Sequence, residues 1–273
     1  MAKSCHVWPA LLMILAGVFH LVSCGGREDG GEGGATQVTP NISEPHIPKV
    51  NVPDSEALAQ MSGAELFAKV CAACHGAKGE GNEQLRSPSI AGLPDWYTTI
   101  QIEKFQKDYR GTEATDTAGL QMHQIASILD EAATQKVAAE IAKLKLIATT
   151  QTLEGGDSVN GAKIYRERCM ECHRFNGRGE VVFRSAPLIG FQDWYIIDQL
   201  QKYKAGVRGG SEEDIDGAKM HEVAGRMSEQ EMKDLAAYMV ELADKYVDWV
   251  PRRERRLMEE AERAAKESGE STE

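Results

Sequence analysis

The chain lacks an excess of basic residues, and that shortage narrows its partners. Its 273 residues carry 31 lysines and arginines against 42 aspartates and glutamates, a formal net charge of -11. Such a balance argues against nucleic acid and for basic patches on a protein partner. Apolar runs long enough to span a membrane with confidence are missing, since the best stretch, Val7 to Val22, is short and lightly flanked. No βαβ pattern is visible, and no paired carboxylates, nucleophile arrangement or phosphate loop stands placed to carry chemistry. Cysteine is also scarce. There are six, and four of them fall in two short motifs, which leaves Cys5 and Cys24 in the N-terminal segment and no pair for a disulfide in the mature chain.

Those motifs are Cys71-Ala72-Ala73-Cys74-His75 and, 98 positions later, Cys169-Met170-Glu171-Cys172-His173. On a helix, residues three and four apart share a face, so two thiols and an imidazole meet one flat ligand together. Zinc would want its second Cys-x-x-Cys about 15–20 residues away and has no use for a histidine fixed after each pair. A thioredoxin-like redox pair would sit near a βαβ unit. Cys-x-x-Cys-His instead reads as covalent haem c attachment, with Cys71, Cys74, Cys169 and Cys172 bonded to two haems and His75 and His173 reaching the irons. Such chains are matured outside the cytoplasm, which calls for an export signal.

The same offset of 98 relates Gly63 to Gly161, Trp96-Tyr97 to Trp194-Tyr195, Arg110-Gly111 to Arg208-Gly209, Gly119 to Gly217, Met122-His123 to Met220-His221 and Leu144 to Leu242. A period this long, held without a gap, is a duplicated domain rather than a solenoid. Both copies read as helical. Ser62 with Glu65 forms a capping box, and Leu66, Phe67 and Val70 follow on one face beside the thiols. Asn160 is expected to open the matching helix, ahead of Ile164 and Tyr165. A second helix is predicted over about 95–107 and 193–204, and the last is clearest where Ser228 and Glu231 box it before Leu235, Tyr238, Met239 and Leu242. Glycine-rich loops follow each motif, at 76–81 and 176–179.

The domain plan is a signal peptide over 1–23, a tether over 24–57, domains over 58–150 and 151–247, and a charged tail over 248–273. Lys3 supplies the positive n-region. The signal ends Leu21-Val22-Ser23-Cys24, which resembles the lipobox of bacterial lipoproteins, with Cys24 acylated and the chain held on the periplasmic side of a membrane by lipid. Gly25 after it favours the outer membrane of a Gram-negative cell. The tether is rich in glycine, acids and proline and has almost no apolar periodicity, so it cannot order itself. Past Tyr246 an arginine cluster precedes Glu, Ala and Lys with too sparse an apolar stripe for packing, and reads as a solvated tail.

With His75 and His173 as fifth ligands, the sixth position on iron separates electron transfer from chemistry on a small molecule. The sixth ligand should be duplicated like the domain. Of ten methionines only Met122 and Met220 match at the offset, each after a Gly-x-x stretch that suits a loop over the far haem face. Met227 and Met239 lack partners and read as core. His123 and His221, equally duplicated, are the rivals.

Two such units, each with Cys-x-x-Cys-His near its start and a methionine before its last helix, resemble tandem class I cytochrome c domains of the di-haem cytochrome c4 type. The stretch from Asp193-Trp194-Tyr195 to Gly217-Ala218-Lys219-Met220 also resembles cytochrome domains attached to respiratory oxidases and reductases. The resemblance covers about residues 60–245. It implies an all-α fold of two small helical domains, each wrapped around one covalent haem, with Met122 and Met220 rather than the neighbouring histidines as distal ligands. It also implies a proline whose carbonyl orients each proximal histidine, with Pro88 and Pro187 as candidates one place out of register. The implied function is a one-electron carrier, not an enzyme, between a quinol-oxidising complex or dehydrogenase and a terminal oxidase or anaerobic reductase. The alternatives are a di-haem peroxidase or thiosulfate-oxidising enzyme, and a cytochrome subunit of a larger respiratory complex. Glu140 stands where the second copy has Tyr238, so unequal haem surroundings are expected.

Overall fold

In the computed structural model the described residues are 54–248, with 255–257, 259, 260 and 263 in the tail. Cys24, the signal peptide and most of the tether lie outside them. The described fold is all-α, and its only bridges are the isolated pairs Asn82–Ser87 and Glu180–Ser185, again 98 apart. No described helix is long and apolar enough to cross a membrane.

The first unit comprises α1 (Ser55–Gln60), α2 (Gly63–Leu66), a π-helical turn (Phe67–Cys71), α3 (Ala72–His75), α4 (Asp95–Gln106), α5 (Thr117–Ser127) and α6 (Glu131–Lys143). The second repeats it as α7 (Ser158–Arg168), α8 (Met170–His173), α9 (Asp193–Lys204), α10 (Ile215–Gly225) and α11 (Glu229–Tyr246). Both capping boxes form as the sequence predicts. Ser62 accepts from the Glu65 amide while the Glu65 carboxylate accepts from the Ser62 amide, and Ser228 and Glu231 do the same.

Two local expectations need correction. Asp54 caps α1 by accepting from Ala57 N, and Leu58 is buried, so order begins inside the stretch read as tether. Asn160 does not open α7. Asp157 does, accepting from Val159 N and Asn160 N, which leaves Asn160 one turn in with its side-chain amide donating to Asp234. The described tail residues, 255–257, 259, 260 and 263, are helical and exposed.

Each unit closes by crossing its first helix on its last. Gly63 sits where a Cβ would lie 2.4 Å from Lys136 O, and Gly161 where it would lie 2.0 Å from Asp234 O. No side chain fits either crossing, which is why the duplication kept both glycines. Leu66, Val70, Val137 and Ile141 bury beside the first crossing, and Ile164, Tyr165, Leu235 and Met239 beside the second. The connection between units is anchored by Asp193, which is buried and accepts from Thr152 N, Thr152 Oγ1 and Leu153 N at 2.6–2.8 Å.

The units meet about a local pseudo-dyad. Lys104 pairs with Asp214 at 2.5 Å, and Lys202, its equivalent, pairs with Asp116 at 2.9 Å. Shifting each residue by 98 into the other unit, Lys104 up to Lys202 and Asp214 down to Asp116, turns one pair into the other, so the interface is made of one patch used twice, as in an isologous dimer.

Candidate functional site

The π-helical turn and α3 carry Cys71, Cys74 and His75 to the wall of a cleft, as the motif spacing requires. The cleft encloses about 1230 Å³ of empty space, part of it open to solvent, and Met122, Tyr97, Phe105 and Arg110 also line it. The second unit contributes Phe191, Tyr195 and Gln199 to the same cleft. Burial pushes the Cys71 and Cys169 thiols up to about 12, so both are held protonated until they are bonded.

His75 Nδ1 donates to the Pro88 carbonyl at 2.7 Å, and His173 Nδ1 donates to the Ala186 carbonyl at 2.8 Å. Burial depresses both imidazole pKa values more than the carbonyls raise them, so the rings are neutral. A carbonyl can only accept, which fixes the proton on Nδ1 and leaves the Nε2 lone pair free for a metal. Here the proline reading is corrected. Ala186, not Pro187, supplies the second acceptor, and it aligns with Pro88 at the repeat offset. The contact is made by backbone, so the duplication preserved the position and not the side chain.

Met122 and Met220 lie within α5 and α10, not in loops. The Gly-x-x stretches belong to helix caps: Asp116 accepts from Gly119 N and Asp214 from Gly217 N. Each cap is also the acid that receives the other unit's lysine. The helix bearing each methionine is therefore tied to the interface. The rival imidazoles are engaged elsewhere, His123 with Asp108 at 2.8 Å and His221 with the Tyr203 carbonyl at 2.5 Å. Met227 and Met239 are buried in the core, as read from the sequence.

Sequence reasoning assigned no role to Arg110, Arg208, Gln101 and Gln199, although all four keep the offset. Arg110 donates to Gln101 at 2.8 Å and to Gln199 at 3.2 Å, and Arg208 donates to Gln199 at 2.6 Å and to Gln101 at 2.7 Å. Each guanidinium stacks on a ring of its own unit, Phe105 at 4.2 Å and Tyr203 at 4.5 Å. Both arginines are buried, and among the described residues neither has a carboxylate partner. Two buried cations held by neutral amides and aromatic rings, Tyr97 among them for Arg208, suit a group that brings its own carboxylates. Haem does so, and the paired thiols and the free Nε2 fit it as well.

The sequence matches the family described as Cytochrome c over residues 60–145 and again over 158–243. The chain belongs to the cytochrome c family. It is a di-haem class I cytochrome c, with one covalent haem c in each unit. The chain is 26% identical over 201 residues to a thiosulfate dehydrogenase electron acceptor of Stutzerimonas stutzeri, covering 70% of this chain and 88% of the relative. It is 27% identical to cytochrome c4 of Pseudomonas aeruginosa over 190 residues, 68% and 90% of the two chains. The crystal structure of cytochrome c4 from Pseudomonas stutzeri superposes with a TM-score of 0.54 over 69% of this chain and 98% of that one, at 24% identity, which shows the shared fold. Cytochrome c proteins of this kind are electron carriers, and no described cluster of three or more His, Cys, Asp or Glu offers a further metal site.

Proposed function

We propose that this di-haem cytochrome is a lipid-anchored relay with His/Met axial ligation at both irons and no substrate site of its own. The observation that carries the ligation is the placing of Met122 on the cleft of Cys71, Cys74 and His75 while His123 is held by Asp108. Haem c supplies a one-electron iron couple. The chain's residues do the rest. His75 and His173 offer neutral Nε2 from rings fixed by backbone carbonyls and would hold the irons, while Met122 and Met220 would supply the thioethers that leave no open iron position for peroxide or thiosulfate. Arg110 and Arg208, held at the seam between units, would neutralise haem propionates.

Relatives named as electron acceptors of thiosulfate dehydrogenase support a dehydrogenase as donor, with a terminal oxidase or anaerobic reductase downstream. A second reading, a subunit of a larger respiratory complex, is favoured by 28% identity over 143 residues to a cytochrome bc1 complex cytochrome c subunit of Mycobacterium bovis, 49% of that relative. Cys24 as the lipidated residue places the carrier on the periplasmic side of a membrane, the outer one in a Gram-negative cell. Spectroelectrochemistry of membrane fractions tests the whole. The expected result is two haems per chain, two one-electron waves of unequal midpoint, and release of the protein to the soluble fraction by Cys24→Ala. A high-spin haem in the resting protein, or peroxide turnover, would contradict the relay.

A further inference from the structure

We propose that the surface around Val181, Val182 and Phe183 is an uncharged docking port at the second haem site, fitted to a redox protein whose own port is apolar and uncharged. The proposal rests on the electron-carrier reading above and adds which unit faces that partner and by what chemistry. Val181, Val182 and Phe183 are exposed by 52%, 80% and 52%, in a tight loop closed by the Glu180–Ser185 bridge. Ser185 Oγ donates to the Cys172 carbonyl at 2.5 Å, so the loop lies against the haem-bonding cysteine, itself exposed. Arg184 pairs with Asp216 at 2.6 Å and draws the loop toward the first turn of α10, where Ile215 is 67% exposed.

The fold does not require this apolar surface. The first unit builds the same bridged loop, Asn82 to Ser87, with Glu83, Gln84 and Leu85 in the corresponding places, and there Cys74 is only partly exposed. The first loop is also turned inward, because Arg86 stacks on Trp194 at 4.4 Å and reaches Asp198 at 3.7 Å. The duplication thus left one port polar and engaged within the molecule and the other apolar and free. Adjacent exposed valines and a phenylalanine beside a redox centre mark a contact surface.

The charges at its edge decide the partner. Arg184 is spent on Asp216, which Lys219 also approaches at 3.7 Å, and Arg174 is spent on Glu180 at 2.7 Å, so these pairs leave no more than one charge to steer a charged port. An uncharged apolar port on the partner is the complement, as in a cupredoxin whose copper lies beneath such a patch. In the transfer one electron leaves ferrous haem and reduces a cupric centre to cuprous, with no bond or proton moved.

The test uses the holoprotein and a graft in which Val181→Glu, Val182→Gln and Phe183→Leu install the first unit's own loop. A zinc-substituted cupredoxin with an uncharged apolar port reports binding by NMR titration without any redox step. Its copper form reports transfer, and a lysine-ringed mono-haem cytochrome c serves as the charged control. The expected result is amide shifts confined to residues 181–183 and around 215, and affinity changed less than about twofold by salt, as for an uncharged contact. The graft should weaken zinc-cupredoxin binding and slow copper reduction at least about tenfold, equivalent to 1.4 kcal/mol, with haem content and the charged control unchanged. Unchanged binding by the graft overturns the port, as does equal slowing of both redox probes. Tighter binding by the graft overturns it too, since it would mean that another segment of this chain covers the patch. If the wild-type holoprotein reduces neither probe, the carrier reading itself fails, whereas failure of the titration alone removes only the port.

Discussion

Met122 and His123 are neighbours that the sequence duplicates equally, and their surroundings separate them. Met122 faces the cleft, while the His123 ring is committed to Asp108. Met122→Ala is therefore expected to halve the weak far-red Met-to-iron charge-transfer band and to lower one midpoint potential, because a thioether opposite histidine raises the potential. His123→Ala should leave band and potential in place. Optical titration of the two variants checks this. His75, Met122, His173 and Met220 could be picked out as candidate ligands because a repeat preserves whatever serves the iron. The acceptor for the second proximal histidine was not, since a backbone carbonyl leaves no residue type to read: Pro88 and Ala186 do one job with unlike side chains.

The stability of each unit rests on its helix crossing. Gly161→Ala drives a Cβ against the Asp234 carbonyl, and backbone cannot yield as a flexible side chain can. The expected cost is at least about 1–3 kcal/mol of unfolding free energy, the usual penalty of overpacking, read by denaturant titration. Asp234 also secures the start of the second unit. Burial raises its pKa, but donations from Asp157 N, Asn160 and Gln230 outweigh that and hold it below the usual aspartate value. A carboxylate depressed in the folded state stabilises fully above its unfolded pKa of about 3.9, and that contribution is lost as pH falls through the lower folded value. Asp234→Asn should therefore flatten the acid limb of a stability–pH curve and leave its neutral-to-alkaline shape unchanged. The paired elements were legible from periodicity and capping boxes. Their junctions were less so, since Asp-x-x-Gly before each methionine caps a helix and its glycine reads as loop when the aspartate is overlooked.

Across the whole molecule the two units share a dyad that no single-copy reading could supply. It requires knowing which lysine crosses to which acid, and sequence separation of 110 residues hides that. Lys104 and Asp214 are nearly sealed from water, and burial depresses the lysine pKa against the pull of its partner. Removing one member strands the other, so Lys104→Met should cost about 3 kcal/mol. Arg86→Gln, which loses a half-exposed contact at 3.7 Å, should cost less than about 1 kcal/mol. Thermal unfolding of the two variants distinguishes a seam held by its buried pairs from one held by its rim. Because Asp116 and Asp214 also cap the helices of Met122 and Met220, the seam and the proposed distal ligands are parts of one construction.

Both irons should be held alike, by histidine and methionine, in unlike surroundings. Near-infrared magnetic circular dichroism of the fully oxidised holoprotein tests it most directly. Charge-transfer intensity equal to two Met-ligated haems per chain is the predicted result, and a bis-imidazole or high-spin signature at either haem would contradict it.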